Sequence, residues 1–590
     1  MYKYLKLFFS KINIMNLDQY RIAFVHAPDT VYVNQQNYGA HFMPVWAYTL
    51  ASHIPDDGRF DLKLYDCRFE KIDNIEEAEV FLFSGINQDY INICSTMDSL
   101  KEKFPNSCFV IGGPICWSFD QAGVLDQLDA FDYIFIGDGE DSIVNLIESL
   151  FLGNKIDAVI RAPSRFDIKC AKEFYKPMVK DTFHRYYGAV IEVSRGCPFL
   201  CEFCDIRIME DNNRPHNKKF KVIIDQLDYL SSLGIKQIFL ACDNFIGDPK
   251  WADSLCDEII EWQERTNYRP AFFTLLTINL YKYKSLMIKM RKAGFDMFFI
   301  GIESFSENSL LETAKVQNKA AQMVEIIREI QSYGFIVVAG LIFGFDSDDE
   351  NTFQQTLDGI QESSLLSGDP SFLTALPGTP LYRRINLSGR MRDFREFNGM
   401  GGYKYQTNIK YLQSEKVMIN GFKKFVSGYT DGKYQYSRLL GYFELLKKGG
   451  NFVPRKGGSF GNLSLFMKML IKNPQAILSL IQRLFLFSKN PTNIYWAFKG
   501  AFLAFRQPRY IGALGYYQFW FFTWTNALLK YKNTSYDEFD IESVGEDFDI
   551  KSILPKEYRE SADELIPKQK INAQLNATIK QLEILIENRS

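Results

Sequence analysis

Two hydrophobic spacings alternate along the first 400 residues. Short runs rich in β-branched and aromatic residues are separated by stretches whose apolar positions recur every three or four residues. The runs Arg21–His26, Leu62–Tyr65, Val80–Ser84, Cys108–Ile111 and Tyr133–Ile136 predict strands, with helices near 44–54, 89–103 and 141–152. From 189 the alternation lengthens, and strands are predicted at 189–193, 236–241, 271–275, 297–300, 335–342 and 371–375. Met323, Val324, Ile327 and Ile330 form the clearest helical stripe between them, within Ala320–Ser332. Strands alternating with helices predict βαβ units and parallel sheets. The expected fold is α/β. A doubly wound, Rossmann-like domain over 19–155 precedes a partial (β/α)6 barrel of TIM type over 180–400, and an α-helical extension covers 401–590.

Glycines at 399–402 and within 449–461 punctuate the last third, where Leu463–Leu470, Ala476–Phe487, Tyr495–Phe505 and Tyr510–Leu529 have helical patterns. Tyr510–Leu529 has no formal charge and is long enough to span a bilayer. It also holds Gln518, Thr523, Thr525, Asn526 and a dense aromatic run from Tyr516 to Trp524, which suits an interface better than a hydrocarbon core. A buried helix, an interfacial amphipathic surface and a span are the three readings, the first two favoured. Asp537–Asp549 reads as a solvated acidic linker. Leu575, Ile579, Leu582 and Ile586 stripe a final helix.

Charge and cysteine content narrow the classes. A formal net charge of −3 gives no global basic field directed at nucleic acid. Ten cysteines in 590 residues do not make a disulfide scaffold and suit a reducing cytosol. The N-terminal MYKYLKLFFSKINIM is basic and apolar, but its uncharged core, Leu7–Ser10, is too short for a signal peptide. Met15 is an alternative start. The expected location is cytoplasmic, with peripheral contact at the inner face of the membrane if the interfacial reading holds.

Candidate chemistry concentrates in Ser194–Asp205, directly after the apolar run at 189–193. Cys197, Cys201 and Cys204 fall there at C-x3-C-x2-C. Three is the informative count, because closed zinc sites and ordinary electron-transfer clusters take four ligands. A cuboidal 4Fe–4S cluster on three thiolates keeps one iron open. The alternatives are zinc with a remote fourth ligand, or three unrelated thiols. Polar and glycine residues follow the other strands of this half: Asp243 and Asn244, then Thr274, Thr277 and Asn279, then Gly301, Glu303 and Ser304, then Gly340 and Gly344, then Pro377–Pro380. A polar side chain at a barrel's carboxyl edge points to a ligand, with a cap or turn as the alternative. In the first half Gly85, Gly112, Gly113, Gly137 and Gly139 stand at strand ends, where open α/β sheets bind ligands. Tight turns are the plainer reading.

The cysteine spacing, with Phe203 before the last cysteine, resembles the signature of the radical S-adenosylmethionine (SAM) enzymes. That resemblance implies a 4Fe–4S cluster on Cys197, Cys201 and Cys204 whose open iron binds the amino and carboxylate groups of SAM, and reductive cleavage of SAM to a 5′-deoxyadenosyl radical. It implies a SAM pocket of Phe203, Asp243, Asn244, Gly301, Glu303 and Ser304. Phe203 would lie against adenine, Glu303 would accept from the amine or a ribose hydroxyl, and Ser304 would serve the carboxylate. Asp243 has a rival role as cap of the helix beginning near Pro249.

Val110–Pro114 and Ile136–Glu140 resemble the strand-end loops of the cobalamin-binding domain that precedes many such barrels. This implies cobalamin contacts at Gly85, Gly112, Gly113, Gly137 and Gly139. One departure matters: the cobalt-ligating D-x-H-x-x-G motif is absent, and the matching region reads Tyr65-Asp66-Cys67-Arg68-Phe69-Glu70. Many radical SAM members also lack that histidine. Cys67 and Cys116 follow strand ends, as a second cluster's ligands would, but two candidates do not make that site and read as buried thiols.

Asp243–Gly247, Phe299–Ser304, Lys315–Asn318 and Ala375–Tyr382 resemble the branch that includes the hopanoid methylases. The branch implies C-methylation of an unactivated carbon, an apolar or lipid substrate, and an electron donor such as a flavodoxin or ferredoxin, with no nucleic acid. Its rivals are radical chemistry without methyl transfer, such as lipid carbon–carbon coupling or rearrangement, and a zinc-binding scaffold.

Overall fold

A computed structural model describes residues 19–29, 41–206, 209, 211–312, 320–393, 406–457, 491–507, 528, 532–545 and 548–549. The basic N-terminal stretch, Lys315–Asn318, Gly399–Gly402, the helical patterns at 463–470 and 476–487, all of 510–529 except Leu528, and the final stripe lie outside the described residues.

Six strands form the first sheet: β1 (Tyr20–His26), β2 (Phe60–Asp66), β3 (Val80–Ser84), β4 (Cys108–Gly112), β5 (Tyr133–Ile136) and β6 (Val159–Arg161). All pair in parallel in the order β2-β1-β3-β4-β5-β6. Alternate residues serve opposite faces. Ile22, Phe24, Leu82 and Val110 pack with helices Val45–His53 and Ile143–Phe151. Ala23, Val25, Phe81, Phe83, Phe109 and Ile111 pack with helices Tyr90–Lys103 and Pro114–Gln121. The sheet is therefore covered on both sides, as a doubly wound fold requires. The pattern does not reveal β6, a three-residue edge strand that carries the sheet past the boundary expected at 155.

The second sheet begins with β7 (Ala189–Glu192). A short antiparallel hairpin, β8 (Ser194–Arg195) with β9 (His216–Asn217), brackets the cysteine loop. Then come β10 (Gln237–Ala241), β11 (Ala271–Leu276), β12 (Phe295–Glu303), β13 (Ile336–Phe343) and β14 (Ser367–Phe372). The parallel order β14-β13-β12-β11-β10-β7 leaves the first and last strands unpaired with each other, so the barrel is open. One face, with Phe272, Phe298, Ile300, Val337, Ala339 and Leu341, lies in the main core with Ile223, Ile259, Met287 and Ile327 of the intervening helices. On the other face Ile336 and Val338 meet Leu439, Tyr442, Phe443 and Leu446 of helix Gly432–Lys448 and Ala497 of helix Pro491–Phe505. These helices pack at the amino ends of the strands and leave the carboxyl edge to the cysteine loop.

Two expectations are corrected. The last barrel strand lies at Ser367–Phe372, not 371–375; its sequence SGDPSF has no apolar run, and Pro370 is tolerated because β14 is an edge strand. The acidic segment after 537 is not simply a linker, and the last third is not wholly helical. β16 (Asp540–Ser543) pairs in parallel with β15 (Gln406–Tyr411). Phe539 and Ile541 turn inward, while Asp540 takes a 2.8 Å ion pair from Arg392. Among the described residues no helix is long and apolar enough to cross a membrane.

Candidate functional site

β7 delivers the chain to a turn at Gly196, whose φ of +91° and contact with the Arg214 carbonyl leave no room for a side chain. The Asp243 carboxylate accepts from the Gly196 N–H at 2.6 Å, and the Asn212 carbonyl accepts from the Cys197 N–H at 2.9 Å. Asp243 thus anchors the cysteine loop. The helix-cap alternative is overturned, because Asp248 caps that helix by accepting from the Trp251 N–H. Asn244 is buried. Its amide nitrogen donates to Cys197 Sγ at 3.8 Å, and its Oδ1 is buried without a hydrogen-bond partner.

None of the three cysteines is in a disulfide; Cys201 is buried and the other two are half-buried. Burial pushes the Cys204 thiol up to about 12 and raises that of Cys197. Thiolates here need a cationic centre to hold them. Among the described residues no three His, Cys, Asp or Glu side chains converge as ligands of a single ion would. A cluster of several irons would not require its thiolates to converge on a single ion. Three uncrosslinked thiols on one anchored loop, with an orphaned amide oxygen beside them, fit a three-thiolate cluster.

The remaining expected SAM residues lie along the same edge. The Phe203 ring sits 6.3 Å from that of Phe345. Three strands over, β12 ends in an irregularity between Gly301 and Glu303, and Glu303 adopts φ +65°. A non-glycine residue held there costs backbone strain that the surrounding structure must offset. Glu303 and Ser304 are buried, and Ser304 Oγ accepts from the Ser306 N–H at 3.0 Å, leaving its hydroxyl proton to donate.

Two arginines that the spacing did not single out hold the loop from opposite sides. Glu202, between the second and third cysteines, is fully buried. Arg384 of helix Pro380–Leu387 grips it with Nε at 2.5 Å and Nη2 at 3.1 Å. Arg384 also reaches Asp346 and Glu312, and Arg390 adds a 2.7 Å bond to Asp346. Burial and the nearby Asp346 carboxylate raise the Glu312 pKa. On the other side Arg195 bonds Glu192 at 2.7 Å and pairs with Glu140 and Asp138 from the loop after β5.

Glu140 and Asp138 line a cavity of about 540 Å3 at the carboxyl ends of β3 to β6. Gly112, Gly113, Gly137 and Gly139 line it with Trp46, Leu50, Trp117 and Phe135, and Glu192, Arg195 and Met209 close the side toward the thiols. Gly113 (φ +86°) and Gly137 (φ +109°) are required to be glycine, since a Cβ would overlap Ser84 or Ala162. A Cβ at Gly112 would meet only Phe135, at 3.7 Å. Gly85 lies outside the cavity lining, and a Cβ there would meet Ile93 at 2.5 Å and Asp89 at 3.0 Å. An apolar wall with a glycine rim fits a large flat ring such as a corrin. Among the described residues the cavity lining contains no imidazole. Arg68, at the position of the missing histidine, is bound to Asp66 at 2.7 Å and to the Phe42 carbonyl at 2.9 Å. Cys67 and Cys116 are thiols whose pKa burial raises, that of Cys67 to about 12.

The Radical SAM superfamily profile matches residues 191–360. An uncharacterised methyltransferase of Synechocystis sp. is 29% identical over 413 residues, 68% of this chain and 74% of that protein. The hopanoid C-2 methylase of Rhodopseudomonas palustris is 30% identical over 370 residues, 61% of this chain and 68% of that protein. The solved structure of the cobalamin-dependent SAM radical enzyme OxsB, with aqua-cobalamin and SAM bound, superposes with a TM-score of 0.55 at 14% identity, covering 96% of this chain and 83% of that one. At that identity the last shows a shared fold.

Proposed function

The chain belongs to the radical SAM superfamily, and we propose on that premise that it is a cobalamin-dependent C-methyltransferase acting on an unactivated carbon of an apolar, lipid-like substrate. When bound, the cluster with SAM would supply radical hydrogen-atom abstraction, and cobalamin would supply the methyl group. The chain's own residues hold and orient. Cys197, Cys201 and Cys204 would hold the cluster, with Asp243 and Arg384 fixing their loop. Phe203, Asn244, Gly301, Glu303 and Ser304 would line the SAM pocket, where a buried carboxylate suits an amine or a ribose hydroxyl. Gly112, Gly113, Gly137 and Gly139 would let backbone approach the corrin. A small electron carrier of the flavodoxin or ferredoxin class would supply the reducing electron.

The observation that carries the reading is Arg195. It stands two residues before Cys197 and is ion-paired to Glu140 and Asp138 of the cavity rim. The thiol loop and the glycine-lined cavity therefore share a wall. Similarity to a hopanoid C-2 methylase supports the apolar substrate.

Arg68 favours a second reading, radical chemistry without methyl transfer, since it fills the place of a cobalt-ligating imidazole. One experiment separates the two. Anaerobically reconstituted protein is expected to cleave SAM reductively and to take up cobalamin. Protein that cleaves SAM but binds no cobalamin overturns the methylase and favours lipid coupling or rearrangement. Mass spectrometry of lipids from a host with and without the gene then identifies the methylated carbon.

A further inference from the structure

Charge is distributed very unevenly along this chain. From Leu445 to Tyr536 there are 13 Lys and Arg and no Asp or Glu, which leaves 55 basic residues against all 71 acidic ones elsewhere. Within that stretch, helix Pro491–Phe505 packs one side on helix Gly432–Lys448. Ala497 is buried there, and Asn493 Oδ1 accepts from the Gly432 N–H at 3.0 Å. The other side faces solvent. Tyr495, Phe498 and Phe502, at helical spacing, are 57%, 73% and 58% exposed. Cations are interleaved with them: the Lys499 ammonium lies 4.5 Å from the Trp496 ring centroid, and the Arg506 guanidinium lies 4.3 Å from that of Phe502.

We propose that this aromatic, acid-free face docks the protein on an anionic lipid bilayer. Large aromatics with a wet, polar surround partition to the headgroup boundary, and interleaved Lys and Arg reach lipid phosphates along their own aliphatic stems. A negatively charged leaflet explains why a chain of acidic balance carries a long segment with no acidic residue, which a neutral protein partner would not demand. A nucleic acid would share the attraction to cations. The strongly apolar composition of the flanking Leu463–Leu470 and Tyr510–Leu529 favours lipid. The proposal stands on charge and exposure and does not rest on the methylase reading.

Flotation of the full-length, reconstituted chain tests it, with vesicles of phosphatidylcholine alone or with about one third phosphatidylglycerol. Partition onto the anionic vesicles is expected to exceed that onto neutral ones about ten-fold or more and to fall with added salt. Phe498→Ser with Phe502→Ser should lower binding about ten-fold. Lys499→Gln with Arg506→Gln should lower it about twenty-five-fold, at roughly five-fold per cation. Melting temperature and SAM cleavage in solution should stay unchanged in both. Equal binding to both vesicles, no flotation, or variants that bind as wild type would overturn the proposal. So would retention of a duplex or single-stranded oligonucleotide without vesicle binding. A fall in melting temperature with unchanged vesicle binding would show that the face packs within the chain, and would also overturn it.

Discussion

The carboxyl ends of the two parallel sheets are built in opposite ways. Along the first sheet, glycines and apolar rings line an open space together with a few charged side chains. Along the second, the space beneath the cysteine loop is filled by buried carboxylates, Glu202, Glu312 and Asp346, tied to Arg384 and Arg390. On the proposed reading, the contrast follows from what each edge would hold. A large, flat cofactor needs room and a backbone it can approach. A cluster on three thiolates needs ligands that do not wander, and a bidentate guanidinium–carboxylate pair fixes both distance and angle. Arg195 is the joint between the two edges, partly open to solvent where Arg384 is sealed.

The largest effect should separate the edges outright. Cys201→Ala is expected to abolish iron uptake and 5′-deoxyadenosine formation while cobalamin still binds in the first-sheet cavity, as read by metal analysis and absorbance. Loss of cobalamin as well would mean the edges are not independent. Next, Arg384→Met leaves Glu202 and Asp346 without their shared cation and should cost about 3–5 kcal/mol in chemical denaturation. Adding Glu202→Gln should recover part of that loss. A cost below about 1 kcal/mol would show that the network does not lock the loop.

Arg195→Gln strands Glu192 and Glu140 at the shared wall. It should cost about 1–3 kcal/mol and weaken both iron and cobalamin retention, which no change on one edge alone would do. Two glycines sharpen the picture of the cavity. Gly137→Ala, at positive φ and against Ala162, should destabilise by about 1–2 kcal/mol. Gly112→Ala meets only ordinary contact and should leave stability within about 0.5 kcal/mol while lowering cobalamin affinity.

The effect on acid stability differs in sign between the halves. Burial and the nearby Arg68 push His41 down to about 3. The unfolded chain therefore takes up that proton first, and stability intact above pH 6.5 falls as pH drops toward 3, by at most about 1.4 kcal/mol per unit. Burial pushes Asp348 up to about 6, so its contribution is fully present below pH 3.8 and is lost as pH rises through 6. His41→Gln should flatten the acid limb and Asp348→Asn should steepen it. Unchanged pH profiles of the melting temperature would contradict both.

What the sequence makes legible here is what is local. β3, β4 and β7 can be read because their apolar runs are buried on both faces, and the thiol triplet because its spacing lies within one loop. β14 cannot, since a polar edge strand is defined by its pairing with β13 rather than by its own residues. Arg384 is illegible for a related reason: its carboxylates lie at 202, 312 and 346, far apart in the chain and adjacent only after folding. Asp243 shows the intermediate case. A carboxylate after a strand signals that something needs it, but not that the first claimant is the Gly196 amide. Asp540–Ser543 carried a usable signal in the alternation of Phe539 and Ile541 with Asp540 and Glu542, masked by its acidity.

The central claim is that one wall serves both an open-iron cluster and a corrin. Cobalt and iron analysis of the anaerobically reconstituted wild-type protein tests it most directly. The account predicts about four irons and about one cobalamin per chain, with both retained less well in Arg195→Gln. Four irons with no cobalt would contradict it.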